Sequence, residues 1–474
     1  MKSFTHLRVA SGYSFKYGTA HADQLVERAA EFEMSALALT DMDTMAGAIR
    51  FTKSCEANGI APILGINLSF IQKKYRITLL AQSGHLDSLY RLVTAVNLEN
   101  SENLLTHSLL ERFSQYSKNL LVLHGPESQL ASAISARKSA EALSIYNATR
   151  ELFADQAIEC VSHLIRGDGQ FSTSHAARAL GFARDNHLPA VLSNAVRMLD
   201  RSDGPVADVL DAARKLVPLS NKSVSRQNSE AYFKDSSEMS YLSDEISRLA
   251  GERDGRSLLN TTTAWAERAL LSPRKDVGIG AIHLPDAAAL GAKSQGELTA
   301  QLRSRCEAGL SRRYVGSKSV VAASRLEEEL SAIRTLGYES YFLTVADITD
   351  LARNRGIRVA ARGSGAGSLI CHVLGISGVE PITHGLLMER FCSPLRGELP
   401  DIDIDVESAR RLEIYDAVFE KYGQRCATVS MVETYRSRHA IRDVGAALGI
   451  SPMEIDLIAK SMPHIRSSNI PKAL

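Results

Sequence analysis

Three aspartates stand at alternate positions in the segment LPDIDIDVE, near the end of the chain. Because a β-strand points alternate side chains to the same face, Asp401, Asp403 and Asp405 would project together. Neighbouring like charges repel unless a cation neutralises them, and Mg²⁺ prefers carboxylate oxygens while sharing its coordination with substrate phosphates. The spacing therefore indicates a divalent metal site, with a solvated acidic edge strand as the alternative.

A second segment, RGSGAGS from Arg362 to Ser368, follows an apolar strand and opens a helix. Small residues allow backbone N–H groups to approach phosphate oxygens closely, and the N-terminus of a helix favours negative charge. The segment is not a Walker loop, since no Lys-Ser/Thr pair follows, and its spacing departs from the dinucleotide pattern GxGxxG. It indicates phosphate binding, and a flexible turn is the alternative.

The two segments are more informative together than separately. A loop that holds a triphosphate, followed by paired aspartates on a strand, is what two-metal phosphoryl transfer requires. Arg390, in the intervening segment LLMERF, would add positive charge near the triphosphate, although an arginine in such a segment is by itself more often an ordinary surface residue.

The elements around these segments read as helices followed by short strands. The predicted helices are ELTAQLRSRCEAGL, RLEEELSAIRTLG and YFLTVADITDLARNRG, and the predicted strands are IRVAA and LPDIDID. A further helix is predicted from Leu369, and the tail after Val429 reads as mostly helical. These elements would place the loop and the aspartates in one structured region that begins near Gln295.

The N-terminal part of the chain alternates strand and helix patterns. The segment HADQLVERAAEFE predicts an amphipathic helix, and SALALTD, APILGINLSF, NLLVLHG and PAVLSNA predict strands. This repeated order predicts an α/β domain built as a barrel. The pattern fades near Leu219, and the Ser- and Asn-rich stretch that follows reads as surface structure or a linker.

The composition is that of a globular protein. Of 474 residues, 45% are hydrophobic and 23% charged, and the formal net charge is +1, which neither supports nor excludes binding to DNA. There is no apolar signal core at the start and no run long enough to span a membrane. The six cysteines form no CxxC pair, which argues against zinc fingers and a disulfide framework and favours the cytoplasm.

Four segments together resemble the bacterial DNA polymerase III alpha family, the C family of DNA polymerases: LGYESYFLTVADI, ARGSGAGSLICHVLGISGVEPITHGLLMERF, LPDIDID and RHAIRDVGAALG. The resemblance implies a polymerase-beta-like nucleotidyltransferase palm and the start of a helical thumb. It places the first two catalytic, Mg²⁺-binding aspartates at Asp401 and Asp403. It places contacts to the dNTP phosphates at Gly363, Ser364 and Arg390. Asp405 matches a family position that is not counted as catalytic.

The N-terminal region resembles the same family's PHP (polymerase and histidinol phosphatase) domain. Active PHP domains begin with HxHxH and hold up to three metal ions, but here only His6 of that opening remains. Most other ligand positions carry residues that cannot bind a metal: Arg8, Ala10, Met42, Asn67, Ala195 and Arg197. The leftover His6, Asp41 and Asp43 are interpreted as structural. We therefore expect no PHP metal cluster and no nuclease activity.

The resemblance also predicts the domain order. It implies a PHP-like domain over residues 1–220, a connecting segment over 221–294, a palm without its returning segment over 295–430, and the start of the thumb over 431–474. The connecting segments PVADVLDAARKLVPL, RQNSEAYFK and VGIGAIHLPD look like those of the accessory, error-prone alpha-type polymerases. In the family, the returning palm segment supplies the third catalytic aspartate, and fingers and a clamp-binding region follow.

The resemblance implies a DNA-directed DNA polymerase that acts in replication and in repair of DNA damage. Its partners would be primed DNA, dNTPs and, by family, the sliding clamp and other polymerase subunits. Because the sequence stops inside the segment that matches the thumb, we expect this chain alone to extend a primed template poorly. A PHP-type phosphoesterase and an inactive scaffold that retains nucleotide or partner binding are the alternatives.

Overall fold

The computed structural model describes residues 3–70, 75–99, 111–112, 114–224, 228–388, 392 and 399–462. The chain forms two compact units. The first unit comprises Met1–Gly280 and Val432–Leu474, and the second comprises Ala281–Met431. No helix in the described ranges is both long and apolar enough to cross a membrane.

The first unit is built on a mixed sheet whose six strands follow one another in chain order. The strands are β1 (Ala36–Leu39), β2 (Ala61–Phe70), β3 (Tyr75–Ala81), β4 (Leu120–His124), β5 (Asp155–Val161) and β6 (Ala190–Ser193). Strand β3 runs antiparallel to β2 and β4, and the other neighbouring pairs are parallel. Strands β1, β4 and β6 are buried throughout, which explains why they read as continuous apolar runs.

A short N-terminal segment, residues 6–10, joins the two ends of this sheet. On one side, its carbonyl groups accept hydrogen bonds from β1 and from Thr40, the residue after β1. The N–H group of Thr40 donates to Val9 O at 2.8 Å. On the other side it pairs with Val196, just after β6, with Val196 N to Arg8 O at 3.0 Å. The sheet therefore curls back on itself, which confirms the barrel-like PHP fold predicted from the sequence.

Helices cover this sheet and pack the apolar faces that the sequence periodicity predicts. They are α1 (Ala22–Glu31), α2 (Ala48–Asn58), α3 (Leu86–Glu99), α4 (Ser114–Ser117), α5 (Gln129–Ser135), α6 (Ser139–Arg150), α7 (Thr173–Asp185), α8 (Gly204–Lys215), α9 (Ser236–Leu249) and α10 (Arg256–Arg268). In α1, for example, Leu25, Val26 and Ala29 are fully buried in the core. Helix α1 begins after a capping box at His21, whose partner is Gln24.

The segment predicted as surface structure or a linker contributes to the core instead. In α9, Met239, Leu242 and Ile246 are buried against the helices and strands around α7, and in α10 Trp265 packs on the opposite side of the sheet. These three positions of α9 have the i, i+3, i+7 spacing of one helix face, which the many serines between them obscure. Asp235 begins α9 by accepting hydrogen bonds from Ser237 N and Glu238 N.

The second unit is mainly helical and has its own core. It contains α11 (Gln295–Arg313), α12 (Ser317–Leu336), α13 (Glu339–Asn354), β7 (Val359–Arg362), α14 (Leu369–Val373), β8 (Asp403–Val406) and α15 (Arg411–Tyr422). Two further helices, α16 (Ser437–Ala447) and α17 (Pro452–Ser461), belong to the first unit. Helices α11–α14 enclose side chains such as Leu302, Ile333 and Phe342, and the antiparallel pair β7–β8 lies beside them.

Candidate active site

The antiparallel pair β7–β8 brings the two sequence-predicted segments together. Arg362, the last residue of β7, pairs with Asp403, the first residue of β8, and Ala360 pairs with Asp405. The predicted strand LPDIDID is therefore shorter than expected, because Asp401 lies just before β8. Asp401 is exposed, and the side chain of Asp403 is 45% exposed. Both carboxylates are accessible to a ligand.

The glycine-rich loop starts directly beside Asp403. Residues Gly363–Gly367 form a 3₁₀ turn, and Gly363 has φ +81°, a left-handed conformation that favours glycine. A Cβ added at Gly363 would lie 3.8 Å from Asp403 Oδ2, which is an ordinary van der Waals contact. Gly363 and Ser364 are exposed. The structure thus brings four predicted site residues together: Asp401, Asp403, Gly363 and Ser364.

Arg362 connects the loop to the carboxylates by ion pairs. Its Nε lies 3.2 Å and 3.1 Å from the two carboxylate oxygens of Asp405, and its Nη1 lies 3.9 Å from Asp403 Oδ2. The alternate aspartates are evident in the sequence, but Arg362 was not predicted as their partner. The signal was available, because a basic residue at the end of one strand and alternate acids on the next strand can meet across an antiparallel pair.

The far end of the loop is fixed by a buried carboxylate. Glu329, in α12, accepts hydrogen bonds from Ser368 Oγ, Leu369 N and Ile370 N, each at 2.9 Å. Arg325 pairs with Glu329 at 3.0 Å and donates to Gly367 O at 2.7 Å. The N-terminus of α14 is therefore already occupied by a carboxylate. The sequence predicted that the N-terminus of this helix would bind phosphate, but Glu329 accepts its N–H groups instead. Only the exposed part of the loop is left for such a ligand.

Tyr341, in α13, is a further residue that the sequence analysis did not single out as part of the site. Its ring packs against the core of the second unit, and it lies close enough to Asp401 and Asp403 for their charges to act on it. Burial, followed by these two charges, raises the pKa of Tyr341. The phenol therefore stays protonated beside the carboxylates. The remaining predicted site residue, Arg390, lies outside the described residues.

The donor set fits a hard divalent cation that keeps other ligands. Two exposed aspartates next to a loop with free space suit Mg²⁺, which usually binds one or two carboxylates and completes its shell with water and phosphate oxygens. Within the described ranges, no three His, Cys, Asp or Glu side chains converge into a group that would hold a metal ion by themselves.

The leftover ligands of the PHP-like region are engaged in internal hydrogen bonds. His6 is fully buried, its Nε2 lies 2.9 Å from Lys234 O, and burial lowers its pKa to about 4. Asp41 accepts hydrogen bonds from Ser11 and Ser14. These contacts support the structural interpretation of His6 and Asp41.

Arginines occupy the surroundings of the other former ligand positions. Arg76 donates to Asp43 Oδ2 at 3.0 Å and also to Asn67 Oδ1. Arg197 pairs with Asp211 at 2.9 Å. Arg8 lies between two carboxylates that the sequence analysis missed.

Those carboxylates are Glu127 and Glu159. Glu159 could have been found from the sequence, because it is a charged residue inside the buried strand β5.

Comparisons with known proteins agree with both regions. The family "PHP domain" matches residues 6–163, and the family "Bacterial DNA polymerase III alpha NTPase domain" matches residues 300–474. A protein of Symbiobacterium thermophilum named error-prone DNA polymerase is 34% identical over 481 residues, covering 97% of this chain and 42% of the relative. One of the same name from Pseudomonas aeruginosa is 31% identical over 469 residues, covering 97% and 41%.

This chain thus spans about two-fifths of the length of those curated relatives. Among solved structures, an amidohydrolase from Chromobacterium violaceum aligns with 41% of this chain and 87% of its own, at 13% identity. Its TM-score of 0.29 is too low to carry an argument. Because two successive family matches and similarity over 97% of this chain to a protein named error-prone DNA polymerase coincide, the chain is similar to an N-terminal part of bacterial DNA polymerase III alpha-type proteins.

Proposed function

We propose that the second unit carries the nucleotidyl-transfer site of a DNA-directed DNA polymerase. The supporting observation is the juxtaposition of the glycine-rich loop with the aspartates. Gly363 follows the residue that pairs with Asp403, and Asp401 lies two residues before that pair. A triphosphate on the loop would therefore sit next to both carboxylates, as metal-assisted phosphoryl transfer requires.

Each residue has a defined role in this proposal. Asp401 and Asp403 would hold Mg²⁺, which when bound supplies the positive charge that stabilises the reacting phosphate oxygens. Gly363 and Ser364 would hold the triphosphate by their backbone N–H groups, with Arg390 adding charge. The primer 3′-hydroxyl would then attack the α-phosphate of a dNTP, and pyrophosphate would leave. Two carboxylates do not complete two metal sites, so the family's third aspartate would be needed for full activity.

The names of the relatives support a finer biological proposal. Because the curated relatives are named error-prone DNA polymerases, we place this chain in DNA synthesis linked to repair and damage tolerance. Primed DNA and dNTPs are its proposed substrates, and the sliding clamp and other polymerase subunits are its proposed partners. The cytoplasm is the proposed location.

A second candidate, an inactive scaffold, is favoured by one observation. Glu329 already accepts the N–H groups at the start of α14, so fewer donors remain for a triphosphate. The two candidates differ in whether the exposed loop and the aspartates bind a nucleotide, which can be measured without catalysis.

The test is titration of dNTP into the 474-residue protein by calorimetry, with and without Mg²⁺. We expect weak binding that requires Mg²⁺. Asp403→Asn should remove the Mg²⁺ dependence. Gly363→Val should abolish binding, because a β-branched residue cannot adopt φ +81° without distorting the loop.

Asp416→Asn, at an exposed acid in α15, is the matched control and should bind like the original protein. Mg²⁺-dependent binding that survives both Asp403→Asn and Gly363→Val would show that the site lies elsewhere. No binding at millimolar dNTP by the folded protein would favour the scaffold.

A further inference from the structure

Arg8 lies in the segment that closes the sheet of the first unit. Its side chain is buried, and its backbone oxygen accepts the hydrogen bond from Val196 N. A buried guanidinium is costly unless a partner compensates its charge. The partners of Arg8 therefore decide whether its charge is compensated.

Two carboxylates from neighbouring strands meet Arg8. Its Nη1 lies 3.3 Å from Oε2 of Glu159, in β5, and its Nη2 contacts Oε2 of Glu127, which follows β4. The packing is tight, because a Cβ added at Gly125 would lie 2.1 Å from Glu159 Oε2 and 2.9 Å from Arg8 Nη1. The guanidinium thus bridges two acids in a space with no room for an extra methyl group.

The pKa shifts of Glu127 and Glu159 show that the positive charge of Arg8 stabilises the ionised form of both side chains. Burial raises the pKa of Glu159, and the charge of Arg8 opposes this rise. Burial would also raise the pKa of Glu127, but the charge and hydrogen bond of Arg8, followed by the charges of Arg76 and Arg214, lower it overall. Glu159 Oε1 is buried without a hydrogen-bond partner among the described residues. Among the groups that oppose the rise in the pKa of Glu159, the charge of Arg8 is therefore the largest, followed by a hydrogen bond from Ser193.

We propose that Arg8 is a resident cation of the first unit, whose guanidinium neutralises Glu127 and Glu159 and makes the fold independent of divalent metal ions. Removing its charge should uncover a latent cation site, because two adjacent carboxylates would lose the guanidinium that contacts both of them. Carboxylate oxygens suit Mn²⁺, which serves as the probe.

The experiment compares thermal unfolding in EDTA and in MnCl₂, and every protein carries Asp403→Asn, which removes the metal site proposed for the second unit. The parent protein with Asp403→Asn alone should unfold at the same temperature in both. Arg8→Met keeps most of the side-chain volume but leaves the acids uncompensated, so its midpoint in EDTA should fall on the order of 10 °C. Mn²⁺ should restore part of this loss, and electron paramagnetic resonance should detect bound Mn²⁺ in this variant alone.

Three further variants make the test decisive. Arg50→Met removes an exposed arginine and should change the midpoint little. The triple variant Arg8→Met, Glu127→Gln, Glu159→Gln removes acids and cation together, so it should be more stable than Arg8→Met and should not respond to Mn²⁺. If Arg8→Met does not fold in EDTA, Arg8→Lys, which keeps the charge, and the triple variant should still fold.

Two results would overturn the proposal. One is an Arg8→Met protein that loses no more stability than Arg50→Met. The other is Mn²⁺ binding by the Asp403→Asn parent protein, or Mn²⁺ stabilisation that is equal in Arg8→Met and the triple variant.

Discussion

The ion pair between Arg362 and Asp405 gives a role to the one aspartate of the alternate series that the family does not count as catalytic. The pair is exposed, with side chains 64% and 59% accessible. It holds the guanidinium mainly on Asp405, so that Asp403, 3.9 Å from Nη1, remains available to a metal ion. Asp405 is in this view a positioning residue rather than a ligand.

We therefore expect Asp405→Asn to weaken Mg²⁺ binding only modestly. Exposed ion pairs contribute roughly 0.2–1 kcal/mol, so releasing Arg362 towards Asp403 should reduce Mg²⁺ affinity by no more than about fivefold. Calorimetric titration of Mg²⁺ measures this, with Asp403→Asn as the variant that removes binding. Loss of binding in Asp405→Asn as complete as in Asp403→Asn would identify Asp405 as a metal ligand.

At the residue scale, the sequence predicted which residues lie together better than it predicted the contacts that these residues make. The alternation of Asp401, Asp403 and Asp405 and the small residues of the loop are local patterns, and the structure brings them together. The partners Arg362 and Glu329 depend on the pairing of β7 with β8 and of α12 with α14. Those contacts join residues about 40 positions apart (|i−j| of 43 and 40), which periodicity does not report.

Among the elements, helix α12 fixes the C-terminal end of the glycine-rich loop. Glu329 is 2% exposed and receives three hydrogen bonds from the end of the loop and the start of α14. The loop is thereby fixed at Ser368, while its beginning at Gly363 stays exposed. A preorganised loop binds a ligand with less loss of entropy than a mobile one.

Glu329→Gln should destabilise the protein and weaken dNTP binding. Hydrogen bonds to a charged group contribute about 1.5–3 kcal/mol. The side-chain amide of the glutamine would turn an N–H donor towards the N–H group of Leu369 or Ile370. We therefore expect a loss of roughly 2 kcal/mol in the free energy of unfolding. Mg²⁺ binding in the absence of nucleotide should be unchanged, because Asp403 lies on β8 and Asp401 just before it, whereas Glu329 contacts the end of the loop and the start of α14.

Denaturant unfolding and the two titrations measure these effects. The adjacent Glu328→Gln, at an exposed position of the same helix, is the control and should change the free energy of unfolding by less than about 0.5 kcal/mol. Equal effects of the two substitutions would contradict the anchoring role of Glu329.

The sequence predicted most elements of the second unit, including α13, and a smaller share of the first, including α1 and β1, because the apolar periodicity of these elements is regular. It was wrong about the segment that contains α9, where the serines dominate the composition and only Met239, Leu242 and Ile246 mark the buried face. It extended β8 to Asp401, since an alternating pattern does not show where strand pairing ends.

On the scale of the whole molecule, each unit has its own core. The PHP match lies within the first unit, whereas the polymerase match covers most of the second unit and continues into the C-terminal part of the first. The four-part division predicted from the sequence remains a prediction, while the contacts group the residues into two units. The first unit contains several buried histidines, which affect its stability as the pH changes. Burial lowers the pKa values of His6, His124 and His163 to about 4.

We expect the first unit to lose stability as the pH falls from about 6.5, the pKa of an unfolded histidine, towards 4. Over this window the unfolded chain binds protons that the folded chain does not, while above it the stability is fully present. His124→Gln should reduce the pH dependence of the free energy of unfolding by up to about 1.4 kcal/mol per pH unit. Urea unfolding at several pH values measures this slope.

His85→Gln, at an exposed histidine, should leave the slope unchanged. His124→Gln with the pH dependence of the original protein would show that His124 is protonated in the folded state.

The segment that closes the sheet has a consequence for how the chain folds during synthesis. Residues 6–10 are synthesised well before their partners, because one side of this segment pairs with Val196, and His6 contacts Lys234, 228 residues later. Contacts between such distant residues form slowly, because a long loop must close before they can be made. This segment must therefore wait, with one edge unpaired, until Val196 has been synthesised, and during this interval the nascent chain is most exposed to mispairing and to chaperones.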